Sequence, residues 1–344
     1  FVMIFLPANK AFSLDVLRNP GLRQIQIPRW PVFLLVFMMG VVYFYGGLAK
    51  INPDWLDGMP LRIWLKNKTD AFLIGPLMDK EWVAYFMSYA GLLLDLLVAF
   101  FLLWRKTRLG AFIFVLLFHG INFLIFSIGI FPALSISLTL LFFAPEFPRN
   151  MIEWLRSKTK LVGKLETWWQ KQLDSWGSQK IGAPDYWQNA PNWRPVISIA
   201  IILVCIFHLL VPFRHHLFPG NVAWTEEGHR YSWRMMLRSK HAYGQYVIVK
   251  ENGTKERIKP QDLLSPKQAR KVFTHPDMIL QFAHHLRDQY EVKGEAVEVY
   301  AEVKVKLNHR KYQEYIRPDV DLAKVEWSMF KHSDWILPLE EQPE

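Results

Sequence analysis

The sequence predicts a membrane protein: a multi-span α-helical transmembrane bundle followed by a small α+β extracytoplasmic domain. Composition gives the first indication, because 51% of the 344 residues are hydrophobic, with 25 Phe and 15 Trp, which is too apolar for an ordinary soluble enzyme. A charged fraction of 21% excludes a chain that lies wholly in the membrane. The second indication is the order of the apolar runs, which end near residue 213 and are followed by a more polar pattern. We therefore expect a transmembrane domain over residues 1–213 and an extracytoplasmic domain over residues 214–344.

Four apolar stretches are long enough to enter a bilayer whose hydrocarbon core is about 30 Å thick. They are residues 31–50, 82–104, 109–144 and 195–213. The third is about 36 residues long, more than the ~20 that one crossing needs, and residues 127–132 interrupt it. We expect this stretch to form a helical hairpin, whose irregular turn must be shielded by protein because lipid offers its backbone no hydrogen bonds. The total is then five crossings.

Basic residues predict the orientation of these spans, because cytoplasmic loops are enriched in Lys and Arg. Three basic patches occur beside the spans. The first patch precedes the first span (Lys10, Arg18, Arg23 and Arg29), the second follows the second span (Arg105, Lys106 and Arg108), and the third follows the hairpin (Arg149, Arg156, Lys158, Lys160 and Lys164). With these patches in the cytoplasm, five crossings place Lys50, the sequon at Asn67 and the domain from Arg214 onward outside. Residues 146–193 are polar and rich in Trp, which is typical of a cytoplasmic or interfacial segment. The membrane is then either a bacterial inner membrane or that of the endoplasmic reticulum.

The outer domain shows both strand and helix signals. Residues 245–250 and 255–258 flank a turn that contains Asn-Gly, which predicts a β-hairpin. A helical pattern runs from its capping residue, Ser265, to about Tyr290, and a proline occupies its first turn. Over residues 297–307 apolar and polar side chains alternate, which is the pattern of a half-buried strand. These elements predict a small α+β domain.

Lys50 lies at the end of the first span, and its position allows two interpretations. An amine beside a bilayer is costly as a cation, and an amine held neutral is a base. Gly46 and Gly47 precede it by four and three residues, so on a helix they share its face and leave room for a flat molecule or another backbone. The alternative is a lysine that ends a membrane helix and extends its amine to the headgroups, with Asn52-Pro53 as the stop. The residues alone leave both interpretations open.

Three further polar residues lie within apolar spans. Asp95 is midway along the second span, where a carboxylate is expected to face the bundle interior and to have a partner or a proton. His119 and Asn122 are one helical turn apart, and they either join helices by hydrogen bonds or line a pocket for a polar head-group. Together with Lys50 these groups need a common interior site to avoid lipid, and ionisable groups in a cleft are typical of active sites. Apolar walls with a few polar groups indicate a membrane enzyme or carrier for a lipophilic molecule such as a quinone.

Several other classes of site are not expected. The one cysteine, Cys205, lies in an apolar run, which excludes an internal disulfide and a cysteine-based metal site. The pairs His215-His216 and His284-His285 are poor candidates for metal ligands because adjacent side chains rarely reach one ion, and no glycine-rich phosphate loop occurs. Basic residues beside the spans explain the net charge of +10, so nucleic acid is not an expected partner. We expect neither a metal nor a nucleotide cofactor.

Taken together, these motifs resemble the vitamin K-dependent γ-glutamyl carboxylase family, and the similarity follows nearly the whole chain in order and spacing. The segments that carry it are residues 43–50 (YFYGGLAK), 54–58 (DWLDG), 91–96 (GLLLDL), 118–122 (FHGIN), 126–131 (FSIGIF), 145–149 (PEFPR), 231–236 (YSWRMM) and 319–321 (DVD). The transmembrane part is similar to the horizontally transferred transmembrane domain family. The length resembles that of the compact bacterial relatives.

The resemblance implies carboxylation of protein glutamate coupled to oxidation of a quinol. A lysine, here Lys50, deprotonates the hydroquinone of vitamin K, dioxygen adds, and the resulting alkoxide takes a proton from the γ-carbon of a substrate Glu. Carbon dioxide captures the carbanion, which gives γ-carboxyglutamate and vitamin K epoxide. The implied co-substrates are vitamin K hydroquinone, O₂ and CO₂, and the implied partners are an exported Glu-containing protein or peptide, the lipid membrane and the lipophilic quinone. A water-poor pocket, as expected for polar groups inside a membrane bundle, agrees with this chemistry, because water would protonate the carbanion.

The resemblance also implies roles for the other site residues. His119 would hydrogen-bond a quinone oxygen or a developing oxyanion, and His215, just after the last span, matches a histidine near the reaction site. With Lys50 they are the catalytic candidates. The implied quinone and substrate pocket contains Gly46, Gly47, Asp95, Asn122, Trp224, Tyr231 and Trp233, of which the last three belong to the glutamate side.

The chain also departs from the animal enzymes of this family. It has Ala49-Lys50 where they have two lysines, and His229 where they have the tyrosine before the Tyr-Ser-Trp motif. We expect the family's earlier helices, which carry another histidine, to precede Phe1, and we expect no counterpart of the extra lumenal domain of the animal enzymes. These departures bear on substrate docking more than on quinone chemistry. Two alternatives therefore stay open: a membrane quinol oxygenase that forms epoxide without carboxylating protein, and a non-catalytic membrane scaffold.

Overall fold

The structure, a computed structural model, describes residues 2–10, 13–22, 28–70, 75–126, 128–144, 146–158, 167 and 193–340. Most of the interfacial segment predicted over residues 146–193 lies outside the described residues. The chain divides into two compact units, which we call the first unit (Phe1–Tyr43 and Leu97–Leu209) and the second unit (Phe44–Leu96 and Leu210–Glu344).

The first unit and the second unit are built mainly from helices. In chain order these are α1 (Leu14–Arg18), α2 (Arg29–Ala49), α3 (Pro53–Leu56), α4 (Leu61–Lys66), α5 (Gly75–Met78), α6 (Glu81–Leu103), α7 (Arg108–Ile125), α8 (Phe131–Thr139), α9 (Phe147–Lys158), α10 (Arg194–Leu210), α11 (Val222–Thr225), α12 (Pro266–Val272) and α13 (Pro276–Glu291). Short 3₁₀ helices occur at Val2–Phe5, Ala8–Lys10, Pro20–Leu22, Leu140–Phe142, Val211–Leu217 and Pro260–Asp262.

Among the described residues, four helices are long and apolar enough to cross a membrane. They are Arg29–Ala49, Glu81–Leu103, Arg108–Ile125 and Arg194–Leu217, which confirms the predicted membrane fold class. Outward side chains on α7 are large and apolar, as lipid contact requires, and Phe114, Phe123 and Leu124 are 65%, 65% and 77% exposed.

The predicted hairpin within the third stretch is present as α7 and α8, which pack against each other in the first unit. Gly129 lies in the turn between them with a φ of +64°, a conformation that glycine adopts without steric cost. The second arm of the hairpin, Phe131–Phe142, is shorter than the ~20 residues of a full crossing. The count of five crossings and the orientation derived from it therefore stay predictions.

The second unit contains a four-stranded antiparallel sheet in the order β2-β1-β3-β4. The strands are β1 (Lys240–Lys250), β2 (Lys255–Ile258), β3 (Val297–Leu307) and β4 (Gln313–Glu314). The structure confirms the predicted hairpin of β1 with β2 and the predicted bounds of β3. However, β1 begins at Lys240 rather than at residue 245, because it pairs with β3 from Lys240 opposite Leu307 to Lys250 opposite Val297.

The helical pattern from Ser265 to Tyr290 is two helices rather than the single one that was predicted. A capping box between Ser265 and Gln268 opens α12 as expected. The chain then leaves the helical conformation, and His275 is extended at φ −137° and ψ 127°. Pro276 explains the break, because proline disfavours a helical residue before it and is readily accommodated in the first turn of the next helix.

The core of the outer domain lies between α13 and the sheet. Ile279, Ala283 and Leu286 of α13 are fully buried, as are Val299 and Ala301 of β3. This packing explains why the alternating pattern of β3 identified that strand correctly, since a strand with one buried face shows a period of two.

Candidate functional site

Lys50 and Asp95, at the end of α2 and within α6, form an ion pair in the second unit. Lys50 Nζ lies 2.5 Å from Asp95 Oδ2 and 3.2 Å from the carbonyl oxygen of Gly46. The two side chains are only 10% and 13% exposed, and the amine lies 5.2 Å from the ring centroid of Trp55. Lys50 is therefore buried and paired, whereas an amine extended to the headgroups would be exposed, and Asp95 has the partner that its position required.

The glycines before Lys50 permit a close approach of two helices. A Cβ atom on Gly47 would lie 2.5 Å from the backbone nitrogen of Leu96, closer than any real side chain tolerates. A Cβ atom on Gly46 would lie 3.5 Å from Asp95 Oδ2, an ordinary contact. The sequence left open whether these glycines make room for a flat molecule or for another backbone, and at Gly47 it is the backbone of α6. The close approach of α2 to α6 brings Asp95 within reach of Lys50.

His119 lies in the interior of the first unit and is 2% exposed. Its Nε2 atom is 3.1 Å from Tyr43 Oη, and Tyr43 Oη is 3.3 Å from Thr139 Oγ1. The aromatic ring of Phe131 lies 6.0 Å from the imidazole between centroids. Asn122, one turn after His119, is half-buried. Among the predicted site residues, the structure thus joins Lys50 to Asp95 and places His119 with other partners in the other unit.

Sequence reasoning did not find Tyr43 and Thr139 as partners of His119. Tyr43 opens the segment 43–50 that carried the family resemblance, which was the signal available for it. Thr139 gave no such signal, because a threonine in an apolar helix is common and its contact with Tyr43 joins residues far apart in the chain.

His215 lies in the 3₁₀ turn after α10 and is held by its own backbone. Its Nδ1 atom is 2.9 Å from the carbonyl oxygen of Pro212. A carbonyl only accepts, so Nδ1 donates and the neutral ring has its lone pair on Nε2. The backbone of Gly228 lies directly against His215, since a Cβ atom on Gly228 would be 2.6 Å from the His215 Cα atom. This contact holds the segment after Glu226 beside His215.

The segment from Glu226 to Met236 has an unusual backbone conformation. Its non-glycine residues with positive φ are Glu226 at 62°, Tyr231 at 66°, Trp233 at 55° and Met236 at 54°. Such residues cost free energy and cluster at functional sites. Residues 226–230 of this segment also line a cavity of about 250 Å³ together with Arg214 and Trp327. The strained segment and the cavity are features that favour this region as a binding site.

The three aromatic residues predicted on the glutamate side differ in their surroundings. Tyr231 is 57% exposed, and Trp233 is half-buried with an Nε1 that has no hydrogen-bond partner among the described residues. Trp224 is fully buried in the domain core, where Nε1 donates to the carbonyl oxygen of Leu337 at 2.7 Å and the ring packs on Tyr315. Tyr231 is thus the most exposed of the three, whereas Trp224 supports the segment from within the core.

Two family models match the chain, and between them they cover most of it. Residues 1–147 match the HTTM domain, and residues 193–342 match the vitamin K-dependent gamma-carboxylase, lumenal domain. The chain belongs to the vitamin K-dependent γ-carboxylase family. No solved structure matches the chain.

Membership of the γ-carboxylase family confirms the resemblance that the motifs carried. It agrees with the apolar helices in making the chain a membrane protein. The description of the second matched domain as lumenal indicates that the C-terminal domain of this γ-carboxylase homologue lies on the lumenal side.

A second ion pair fixes the segment that follows Lys50 in this family member. Arg310, just after β3, donates two hydrogen bonds to Asp54 at 2.8 and 2.9 Å, and Asn308 Nδ2 donates a third at 2.5 Å. Burial raises the pKa of the Asp54 carboxyl, but the hydrogen bonds from Arg310 and Asn308 more than offset this, and the pKa lies below its usual value. The arrangement joins the end of the Lys50 segment to the lumenal sheet.

Replacing Arg310 by alanine should lower the free energy of unfolding of the lumenal domain by about 3 kcal/mol, because it leaves the Asp54 carboxylate buried without its cation. Thermal and denaturant unfolding of the full chain in detergent, followed by tryptophan fluorescence, measure the effect. Arg317→Ala is the matched control, since its pair with Asp319 is 48% and 65% exposed and should contribute less than about 1 kcal/mol. Equal effects of the two substitutions would contradict the assignment.

The residues Glu226, His229 and His275 form a cluster with the composition of a metal site. One ligand atom from each lies within 4.8 Å of the others. However, Glu226 already pairs with Arg238 at 2.5 Å and Lys240 at 3.1 Å. Burial raises the pKa of Glu226, but the two cations more than offset it and leave the pKa below its usual value. Two cations beside the carboxylate repel a metal ion, so the chemistry of the cluster favours an ion-pair network.

His275 should make the stability of the lumenal domain depend on pH. Burial lowers the pKa of His275 to about 4 from its usual value of 6.5. Between these values the unfolded chain binds more protons than the folded domain, so stability is full above pH 6.5 and decreases as the pH falls towards 4. We expect a loss of about 1–2 kcal/mol between pH 7.5 and pH 5, allowing for partial exposure of the ring.

Thermal unfolding of the full chain at a series of pH values checks this expectation. His275→Gln should flatten the dependence in this range. The control His285→Gln changes an exposed histidine of α13, the helix that follows His275, and should leave the pH dependence as in the wild type. A wild-type profile that stays flat from pH 7.5 to pH 5 would show that His275 is not held neutral by burial.

Proposed function

We propose that this protein is a vitamin K-dependent γ-glutamyl carboxylase. It would convert Glu in an exported protein or peptide to γ-carboxyglutamate, coupled to oxidation of vitamin K hydroquinone to the epoxide with O₂ and CO₂. The observation that carries the proposal is the buried Lys50–Asp95 pair in a chain of the γ-carboxylase family. The proposed location is a bacterial inner membrane or the endoplasmic reticulum, with the C-terminal domain on the periplasmic or lumenal side.

Lys50 acts in this proposal as the base for a quinol hydroxyl. A cation and an anion joined by a 2.5 Å hydrogen bond become an amine and a carboxylic acid when one proton moves from Nζ to Oδ2. In a site without water these two forms are close in free energy, because the charged form loses its hydration. The amine then accepts the hydroxyl proton, and Asp95 is the group that took the first one. When bound, the hydroquinone supplies the electrons that reduce dioxygen.

The surroundings of the pair limit its exposure to solvent, which is the condition that this chemistry requires. Trp55 lies beside the amine and is 4% exposed, and its own Nε1 donates to the carbonyl oxygen of Ser88 at 2.9 Å. This bond fixes the ring, so it shields Nζ without competing for the proton. Exclusion of water keeps a strong base and a carbanion from being protonated by solvent.

A quinol oxygenase that forms epoxide without carboxylating protein is the second candidate. The burial of Trp224 in the domain core favours it, because one of the three aromatic residues predicted for the glutamate side is not accessible. The oxygenase would use the same lysine on the quinol and would need no glutamate pocket.

Incubation with defined co-substrates tests the proposal. The full chain in membranes is given vitamin K hydroquinone, oxygen, labelled bicarbonate and a Glu-rich peptide, and both products are quantified. Epoxide together with label in the peptide is the expected result. Epoxide without label would favour the oxygenase, and the absence of both products from a folded protein would favour the non-catalytic scaffold.

A further inference from the structure

The loop after Trp327 in the lumenal domain carries two large apolar side chains at its tip. Met329 is 48% exposed and Phe330 is 81% exposed, and the next residue, Lys331, is exposed as well. A single exposed apolar side chain is common on a protein surface, but adjacent ones on a fixed turn are typical of an interaction site.

Hydrogen bonds fix this tip on both sides. Before it, Ser328 Oγ accepts from the backbone N–H of Phe330 at 3.3 Å and from that of Lys331 at 3.2 Å, which closes a tight turn. After it, the backbone N–H of Ser333 donates to Glu227 Oε1 at 2.8 Å, and this carboxylate is only 2% exposed. The loop is therefore already ordered in the conformation that exposes Phe330, so little entropy remains to be lost when the tip binds a partner.

The loop lies beside the end of a membrane span. The last apolar helix that can cross a membrane is Arg194–Leu217, and its final residues belong to the second unit together with the lumenal domain. Arg214, in this final stretch, and Phe218, directly after it, line the same cavity as Trp327 and Met329. A spanning helix ends at the surface of the bilayer, so residues that share a cavity with its end lie close to that surface.

We propose that Met329 and Phe330 insert into the leaflet on the lumenal side and hold the lumenal domain against the bilayer. Aromatic and apolar side chains next to a lysine suit the interface between hydrocarbon and headgroups, because the lysine extends its amine to the headgroups while its neighbours enter the apolar region. Lys331 supplies this amine. Leu217, which is 79% exposed where the span ends, needs the same apolar surroundings.

The size of the tip favours lipid over a protein partner. Two side chains provide far less area than the ~800 Å² per partner that a standard protein interface buries. A chain that its spans already attach to the membrane needs only a weak additional contact, because the second contact is then intramolecular. The inference depends on the membrane attachment of the chain and not on its proposed reaction.

Collision measurements by electron paramagnetic resonance test the proposal on the full chain in phosphatidylcholine nanodiscs. A nitroxide label is attached at Phe330→Cys in a Cys205→Ala background, which removes the one native cysteine. The rate of collision with oxygen, which concentrates in lipid, is divided by the rate with a water-soluble nickel chelate. Phe330 is exposed, so the label should leave the fold intact, and thermal unfolding checks this. The same label at Met329→Cys gives an independent second position.

Val292→Cys is the matched control. Val292 is an apolar residue that is 89% exposed, and it directly follows α13. Asp277, in the first turn of that helix, lines the cavity beside the span, and the helical rise from Asp277 places Val292 roughly 22 Å away.

The expected result is an oxygen-to-nickel collision ratio several-fold higher at residues 329 and 330 than at residue 292. Equal ratios at all three positions would overturn the inference, because the tip would then lie in water. Low collision rates with both reagents, together with magnetic broadening between labels, would overturn it in favour of a second copy of the chain. Protection from the nickel chelate that appears only when a Glu-rich peptide is added would overturn it in favour of a peptide site. None of these measurements involves turnover, so their failure leaves the proposed carboxylase reaction to its own test.

Discussion

Replacing Lys50 by alanine is expected to abolish the formation of both epoxide and carboxylated peptide, with each rate lowered at least about 100-fold. Both products depend on the same first step, in which the quinol hydroxyl loses its proton. Asp95 is the ionisable side chain joined to Lys50 by a hydrogen bond, and a carboxylate alone is a weaker base than an amine by several pKa units. Chromatography of the quinone products and label counting of the peptide measure the two rates in one reaction.

Lys80→Ala is the control for the loss of a lysine from the same unit. The Lys80 side chain is 55% exposed and pairs only with the exposed Asp79 among the described residues, so its removal should leave both rates unchanged. Formation of epoxide at the wild-type rate by Lys50→Ala would show that another group deprotonates the quinol. Loss of label with retention of epoxide would place Lys50 in the carboxylation step instead.

Replacing Asp95 by alanine is expected to lower the free energy of unfolding by about 3–5 kcal/mol, because it leaves the Lys50 cation buried without a partner. Replacing both residues, as Lys50→Met with Asp95→Leu, should recover most of this loss, since apolar side chains of similar volume fill the space without a desolvation penalty. Thermal unfolding of Lys50→Met, Asp95→Leu, the double variant and the wild type gives the coupling free energy between the two residues.

The control for this cycle is Asp95→Asn, which keeps a hydrogen-bond acceptor for Lys50 Nζ and should destabilise less than Asp95→Ala. Additive effects of Lys50→Met and Asp95→Leu would contradict the pairing. The double variant also tests the mechanism, because it should keep the fold while it removes the proton transfer between Nζ and Oδ2.

Secondary-structure elements whose signals come from neighbouring residues were predicted well from the sequence. The alternation of β3 and the turn between β1 and β2 identified both strands, because each signal comes from residues that are neighbours in the chain. The predicted start of β1 at residue 245 was wrong because the strand continues back to Lys240 by pairing with β3, and a glycine within a strand can mark a close approach of another backbone. In the structure a Cβ atom at Gly244 would lie 2.3 Å from the carbonyl oxygen of Glu302, so the glycine permits a close contact within the sheet.

The candidate site was predicted in part. Burial arguments required a partner for Asp95, and they gave Gly47 a role beside Lys50. They did not join Lys50 to Asp95 as a pair, because which ionisable groups meet depends on the approach of α2 to α6. The hydrogen bonds of His119 were missed for the same reason, since Tyr43 and Thr139 carry no charge whose burial would demand a partner.

The most direct test of the central claim, that the Lys50–Asp95 pair is the base of the reaction, uses the variant that keeps the fold without the pair. Membranes with the wild type or with Lys50→Met and Asp95→Leu combined receive vitamin K hydroquinone, oxygen, labelled bicarbonate and a Glu-rich peptide. We predict epoxide and labelled peptide from the wild type, and neither product from a double variant of near wild-type thermal stability. Either product at the wild-type rate from that folded variant would contradict the claim.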